Sequence, residues 1–159
     1  MKLAATFCGS RDLSGEEEAY LRRRLAREIE ALVAIGAVYF CLRGERGFDL
    51  LAAKEILAAK ESHPHIRLIV VRAWATQGSG LPPKARGEYR AMCAGAYKVL
   101  TLQREYAPGC IARQGEYLLE RSQFLVCYVT RAQSSEDTMQ KEADRRGLIL
   151  LDLKKGRGA

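Results

Sequence analysis

Three short stretches of the sequence combine glycine or serine with charged side chains in a way that suits anion binding. They are "CGSRD" (8–12), "RGERG" (43–47) and "AQSSED" (132–137). Each follows an apolar run typical of a buried strand and precedes a helical pattern. A helix N-terminus carries unpaired N–H groups and partial positive charge, and small residues let a phosphate approach the backbone. These stretches are candidate phosphate sites, although turns between a strand and a helix are also glycine-rich for structural reasons alone.

Charged side chains in these stretches could add to such a site. Arg11, Arg43 and Arg46 carry guanidinium groups, which match the paired oxygens of a phosphate. Asp49 could bind a ribose hydroxyl, or could simply occupy the first turn of a helix, where a carboxylate is favourable.

The elements that would position these residues alternate along the chain. Apolar, β-branched runs at 2–8, 37–42, 66–73, 97–102, 123–129 and 148–153 are separated by helical patterns. Ser14 with Glu17 forms a capping-box pattern that predicts a helix start, and Gly36 predicts the end of that helix. Further helices are predicted from Phe48 to Ser62, from Lys84 to Ala94, from about Pro108 to Arg121, and over 134–147.

Strands without polar alternation are typical of a parallel sheet covered on both faces. The sequence therefore predicts an α/β fold: a Rossmann-like three-layer fold with a mostly parallel six-stranded sheet flanked by helices. We expect one domain over residues 1–153 and a basic flexible tail over 154–159. In such a sheet the loops after the strands lie at one edge, where ligands bind.

Composition excludes several classes of protein. Five scattered cysteines without a CxxC pair, and no histidine at ligand spacing, argue against structural zinc and a disulfide framework, and we expect no metal. The apolar runs are too short to span a membrane and the N-terminal segment lacks a cleavage site, so we predict a cytoplasmic protein without a membrane partner.

The net positive charge suggests nucleic acid as a partner. The net charge is +7, of which the tail "KKGRGA" supplies three. The basic run 22–27 has helical spacing typical of a solvated face. The basic stretches contain no interleaved aromatic residues, which argues against single-strand binding without excluding it.

Longer stretches resemble a known family. "ATFCGSRDL" (5–13), "GAVYFCLRGERGFDLLAAKEIL" (36–57), "EYAPGCIARQGEYLLERSQFLVCYV" (105–129) and "EADRRGLILLDL" (142–153) resemble, in this order, the YpsA-like family of the SLOG superfamily. The family's Phe-Thr-Gly-His-Arg falls on residues 7–11, and its Gly-Gly-Ala-x-Gly-Phe-Asp falls on 43–49. A tyrosine, a Gly-Cys pair and an Arg-Asn pair fall on Tyr106, Gly109, Cys110, Arg113 and Gln114.

The resemblance implies a Rossmann-like protein that binds a nucleotide or nucleotide-derived small molecule, with a sensing rather than a catalytic function. Such folds often pair with a second copy, so a homo-oligomer is a further expectation. The ligand-binding residues that the resemblance and the loops together predict are Gly9, Ser10, Arg11, Arg43, Gly44, Gly47, Asp49, Arg113, Ser134 and Ser135.

The sequence also departs from the family pattern. The family's Gly-Gly-Thr falls on Ser134, Ser135 and Glu136, and Glu136 with Asp137 would satisfy the helix dipole and repel a phosphate. Arg43 and Glu45 replace a glycine and an alanine, which crowds the backbone of the second loop. Either the ligand differs from that of the family or the pocket has been lost.

Two related branches supply alternative functions: LOG phosphoribohydrolases, which cleave nucleoside monophosphates, and the DNA-processing protein DprA, which binds single strands. The hydrolase pattern requires a glutamate where "SSEDTMQKE" has Lys141, so an enzyme is disfavoured.

Overall fold

The computed structural model describes residues 2–156, and within that range strands and helices alternate as predicted. The elements are β1 (Leu3–Gly9), α1 (Gly15–Ala34), β2 (Ala37–Leu42), α2 (Phe48–Ser62), β3 (Arg67–Arg72), α3 (Pro83–Gly95), β4 (Lys98–Thr101), α4 (Cys110–Glu120), β5 (Phe124–Tyr128), α5 (Ser135–Arg145) and β6 (Ile149–Asp152). The end of the predicted basic tail, residues 157–159, lies outside the described residues.

The six strands form one sheet in the order β4-β3-β2-β1-β5-β6, and all the strand pairs are parallel. This confirms the predicted Rossmann-like α/β fold. From β1 the chain adds strands outward to β4, then crosses back to place β5 on the other side of β1. The order therefore reverses between β1 and β5, and ligands of open α/β sheets bind outside the carboxyl ends of strands at such a reversal.

The helices cover the two faces of the sheet unequally. Residues of α1, α2 and α3 share one hydrophobic cluster with Phe7, Phe40 and Leu42 of the sheet. Residues of α4 and α5 share the other cluster with Cys8 and Cys41. We call these the three-helix face and the two-helix face.

Alternation along β2 decides which face each side chain occupies. Side chains of a strand point alternately to the two faces, so Phe40 and Leu42 pack on the three-helix face while Cys41 packs on the two-helix face. Arg43 comes immediately after β2 and continues this alternation onto the two-helix face.

The capping box predicted at Ser14 is present. The Glu17 N–H donates to Ser14 Oγ at 3.1 Å and the Ser14 N–H donates to Glu17 Oε1 at 2.9 Å. Such a cap stabilises a helix by about 1 kcal/mol. Among residues 2–156, no helix is both long and apolar enough to cross a bilayer.

Candidate functional site

Arg43 is a buried cation at the carboxyl end of β2. Its side chain is 2% exposed, and its Nε lies 3.4 Å from Oδ2 of Asp49, which is fully buried in the first turn of α2. The pair is incompletely satisfied, because Arg43 Nε, Arg43 Nη2 and Asp49 Oδ1 are buried without a hydrogen-bond partner. Buried polar groups in native proteins nearly always have a partner, so the incomplete bonding of this pair sets it apart from an ordinary structural ion pair.

The loop between β2 and α2 bends sharply to hold this pair. Gly44 (φ 85°) and Gly47 (φ 81°) adopt left-handed conformations that side chains disfavour. A Cβ on Gly44 would lie 2.7 Å from Met92 Cε, and one on Gly47 would lie 2.7 Å from the Ser10 carbonyl oxygen. Gly47 is therefore required by close backbone packing, and Gly44 by its left-handed conformation. The loop also turns one N–H inward, since the Glu45 N–H donates to Asp49 Oδ2 at 3.3 Å.

The ionisation of the pair follows from its burial. Loss of solvent raises the pKa of Asp49 to about 7, although Arg43 acts in the opposite direction. Burial alone would lower the pKa of Arg43, but the neighbouring Asp49 and other acidic groups leave the pKa above its usual value. Arg43 is thus a permanent cation, while Asp49 changes charge near neutral pH.

A cavity of about 430 Å³ lies between α4 and α5, and Arg43 contributes to its lining. Because Arg43 comes from the sheet and the other lining residues from the two helices, the guanidinium lies at the floor. The walls are small and apolar, formed by Ile111, Ala112, Gly115, Leu119 and Met139. The volume is within the range of small-molecule sites.

Polar groups lie at both ends of this cavity. Ser135 and Thr138 line it from the first turn of α5. At the other end Arg146 bridges the two helices, since its Nη2 lies 3.6 Å from Glu116 Oε1 and its Nε lies 2.9 Å from Glu142 Oε1. The cavity thus combines a buried cation, two hydroxyl groups, an apolar middle and an ionic rim.

The start of α5 carries its own negative charge, as the sequence predicted. The Asp137 N–H donates to Ser134 Oγ at 3.1 Å, and the Asp137 carboxylate accepts from the Gln133 N–H at 2.9 Å and pairs with Lys141 at 3.1 Å. Glu136 is 3% exposed and accepts from Ser135 Oγ at 3.3 Å. These carboxylates do not fill the cavity, so an anion there would bind to Arg43 rather than to the N-terminus of α5.

The first predicted loop packs against the second instead of opening into this cavity. A Cβ on Gly9 would lie 2.5 Å from Phe48 Cγ, and the Phe48 N–H donates to the Ser10 carbonyl oxygen at 3.0 Å. Ser10 Oγ lies 3.2 Å from the Tyr128 carbonyl oxygen and 2.6 Å from Thr130 Oγ1. Arg11 is exposed and lines a separate groove together with Gly47. A ligand-binding role for these residues stays a prediction.

Of the predicted site residues, Arg43 and Ser135 line the cavity, whereas Asp49 is buried behind Arg43 and the others lie outside the lining. Arg113 is exposed on α4, where its Nη1 donates to Gln103 Oε1 at 2.6 Å. Ser134 caps α5 without lining the cavity. The binding role of Arg113 and Ser134 likewise stays a prediction.

Sequence reasoning missed the walls and the rim of the cavity. Gly115, Met139 and Arg146 belong to ordinary helical patterns, and only the packing of α4 beside α5 makes them neighbours. Gln114 helps to fix α4 there: its Nε2 donates to the Val71 carbonyl oxygen at 2.7 Å and to Gln77 Oε1 at 3.0 Å. Across the described residues, no cluster of three or more His, Cys, Asp or Glu side chains could hold a metal ion.

Solved structures of DNA processing protein A share this fold. The protein from Helicobacter pylori, whose structure was described for its single-stranded DNA binding mode, superimposes with a TM-score of 0.66 at 18% identity over 93% of this chain and 63% of its own. The protein from Streptococcus pneumoniae gives a TM-score of 0.66 at 12% identity, over 94% of this chain and 49% of its own. At such identities the likeness concerns the fold alone.

Comparison of sequences identifies the family, which the likeness of fold does not. The UPF0398 protein BH1768 of Halalkalibacterium halodurans is 29% identical over 109 residues, which are 67% of this chain and 58% of that protein. This chain therefore matches well under two thirds of the length of that relative. The model of the YspA SLOG family (YpsA) matches residues 12–147. The match spans most of the chain and all of the candidate cavity, and the chain belongs to the YspA SLOG family.

Proposed function

We propose that this chain binds a nucleotide or nucleotide-derived anion in the cavity between α4 and α5, as a binding or sensing protein without a catalytic step. The observation that carries the proposal is Arg43: a 2% exposed guanidinium whose Nε and Nη2 lack hydrogen-bond partners and which lines a cavity of about 430 Å³. Membership of the SLOG family supports a ligand of this class.

Each part of the cavity suits one part of such a ligand. A guanidinium offers parallel N–H donors that match two oxygens of a phosphate, and Arg43 Nη2 has no hydrogen-bond partner among the described residues. The apolar walls, which include Leu119 and Met139, would pack against a base. Gly115 lets the ligand approach the backbone of α4, and the rim carboxylates of Glu116 and Glu142 could accept hydrogen bonds from hydroxyl or amino groups.

Asp49 would respond to the ligand. An anion on Arg43 places a second negative charge beside the Asp49 carboxylate, and two like charges in a buried site favour protonation of the weaker acid. Ligand binding should therefore be accompanied by proton uptake at Asp49.

Thermal shift with a panel of probes tests the proposal. Wild type is titrated with AMP, ADP-ribose, NAD and cyclic AMP, since a ligand that binds only the native state raises the melting temperature. At one hundred times Kd the expected rise is about 5 °C or more. Arg43→Lys keeps the charge but loses the paired donors, so it should lose most of the rise. Arg90→Lys, an exposed change on α3, is the matched control and should keep it.

Two outcomes contradict this proposal: none of the probes stabilises wild type, or Arg43→Lys binds as tightly as wild type. Release of free base from a nucleoside monophosphate would support the hydrolase alternative. Lys141, which stands where that alternative needs a glutamate, is exposed and pairs with Asp137 at 3.1 Å, so we expect a flat time course.

Single-stranded nucleic acid is a second candidate ligand. It is supported by the fold shared with the Helicobacter pylori protein, which binds single-stranded DNA, and by the net charge of +7. Binding of this kind weakens steeply as salt rises, because counterions are released from the phosphates. Titration of a labelled oligothymidylate at several salt concentrations tests for it.

A further inference from the structure

The two-helix face leaves part of the sheet uncovered. Beyond α4, the side chains of Tyr39, Ile69 and Leu100 from β2, β3 and β4 are only partly buried, although they belong to the second hydrophobic cluster. Together with Lys98, and with Tyr117 and Arg121 near the end of α4, they surround a hollow of about 230 Å³. We call this the β4-side hollow.

Two tyrosines and two cations, Tyr39, Tyr117, Lys98 and Arg121, stand among the apolar residues that line the β4-side hollow, and Arg67 and Tyr97 are their neighbours in the sheet or along the chain. Tyr39 pairs in register with Arg67 on the neighbouring strand, and Ile69 pairs with Lys98. The Arg67 guanidinium lies 4.3 Å from the Tyr97 ring centroid, and the Arg121 guanidinium lies 3.6 Å from that of Tyr117. Tyr97 is 55% exposed, so its ring is accessible from solvent.

The charged side chains that line this hollow are all positive. Its lining contains Lys98 and Arg121 and, within the described residues, no carboxylate. A separate concavity is lined by Lys2, His65 and Arg67, again with no carboxylate from the described part of the chain, and its Arg67 pairs in register with Tyr39. Outside the lining, Glu120 partly neutralises Arg121, since Glu120 Oε2 lies 3.3 Å from Arg121 Nη1. Between residues 2 and 156, neither Lys98 nor Arg67 has an ion-pair partner.

The tyrosine rings and the positive charge together indicate which class of partner suits the hollow. We propose that the β4-side hollow binds single-stranded nucleic acid, with unpaired bases against Tyr39, Tyr97 and Tyr117 and phosphates on the surrounding cations. Stacking platforms bordered by basic side chains are the means by which proteins hold single strands without reading their sequence. The inference rests on the second candidate function and gives it a location separate from the Arg43 cavity.

A second copy of this chain fits the hollow less well. A two-fold interface through the hollow would place Lys98, Arg67 and Arg121 against the same residues of the other copy, and like charges would then repel. Pairing along the edge strand is also opposed, because β4 has only four residues and begins with an exposed lysine.

Charge reversal at the β4-side hollow, compared with charge reversal on the three-helix face, tests where the single-stranded nucleic acid binds. Lys98→Glu/Arg121→Glu changes two exposed residues at the hollow, whereas Arg23→Glu/Arg27→Glu changes net charge equally on the exposed side of α1. We expect the first variant to weaken binding of a labelled oligothymidylate at least about tenfold and to flatten its salt dependence. Arg23→Glu/Arg27→Glu should weaken oligothymidylate binding less than about threefold. Tyr97→Ala should cost at least about fivefold through lost stacking.

Several outcomes would overturn this inference, and they differ from one another. If wild type binds no oligothymidylate at any salt concentration, the second candidate function itself fails. If both charge-reversal variants lose affinity equally, only net charge matters and the hollow is not the site. If Arg43→Lys loses affinity for the oligothymidylate and Lys98→Glu/Arg121→Glu does not, the nucleic acid binds at the carboxyl edge of the sheet instead. A concentration-dependent dimer in sedimentation that Lys98→Glu/Arg121→Glu abolishes would assign the hollow to self-association.

Discussion

Arg43 Nε lies 3.4 Å from Asp49 Oδ2, and the two charged groups are almost entirely removed from water. Even so, each partner retains buried atoms without a hydrogen bond. A buried ion pair repays its loss of hydration only when its remaining donors and acceptors are satisfied. This pair therefore stabilises the fold less than a fully hydrogen-bonded pair would.

The first prediction concerns pH and stability. The folded pKa of Asp49 is raised to about 7, above the value of about 4 expected in the unfolded chain. The native state then binds the proton more tightly, so stability from this group is complete below about pH 4 and is lost as pH rises towards 7. Urea unfolding between about pH 5 and pH 8 should show wild type losing stability, on the order of a few kcal/mol, relative to Asp49→Asn. A constant difference between the two proteins over this range would contradict the raised pKa.

The second prediction concerns pH and ligand affinity. Ionised Asp49 neutralises Arg43, so affinity for a nucleotide of constant charge should fall as pH rises from about 6 to about 8. Cyclic AMP is a suitable probe because its phosphodiester does not titrate in this range. Calorimetry in buffers of different ionisation enthalpy should detect proton uptake on binding, and Asp49→Asn should abolish both effects. Affinity that falls equally in Asp49→Asn would assign the pH dependence to another group.

The third prediction concerns the energetics of the pair. Arg43→Met leaves the Asp49 carboxyl group without the cation that lowers its pKa, and at pH 9, above the wild-type pKa of about 7, breaking the buried pair in this way costs about 3–5 kcal/mol. Arg43→Met/Asp49→Asn removes both charges, so it should recover most of that loss. Urea denaturation of the three proteins at pH 9 measures the difference. Equal losses in the single and double variants would mean that Arg43 stabilises the fold through packing alone.

The fourth prediction is that filling the cavity abolishes nucleotide binding without disrupting the fold. A Cβ on Gly115 would approach only Met139 Sδ, at an ordinary 3.9 Å, so Gly115→Ala should raise stability by about 0.5–1 kcal/mol. Gly115→Phe should fill the cavity and abolish the thermal shift caused by nucleotide probes while the far-UV circular dichroism spectrum is retained. Gly87→Ala and Gly87→Phe are matched controls on α3, where a Cβ would meet nothing within 4 Å. Undiminished nucleotide binding by Gly115→Phe would place the site elsewhere.

The fifth prediction concerns the first helix. Ser14→Ala removes the acceptor for the Glu17 N–H, which lies 3.1 Å from Ser14 Oγ. The loss should be about 1 kcal/mol, or about 2–4 °C in melting temperature. Ligand affinity should not change, because α1 lies on the three-helix face. A change in affinity without a change in stability would contradict that separation.

The sequence alone determined the elements and the class of fold. The helix predicted from Phe48 to Ser62 has the same bounds in the structure, and the capping box at Ser14 is formed. These signals are local: caps, glycine stops and continuous apolar runs act through neighbours a few residues away. The family resemblance also rests on residue order, and the family match confirmed it.

Only the tertiary structure decided how the charged loop residues are distributed. Arg11 and Arg43 occupy similar places after neighbouring strands, yet Arg11 is exposed at a separate groove while Arg43 is buried at the α4–α5 cavity. Likewise Tyr39, Lys98 and Tyr117 are far apart in sequence and become neighbours around one hollow. The reason is that the crossover from β4 to β5 determines which part of the sheet α4 covers, and no local pattern specifies where helices from distant segments will meet.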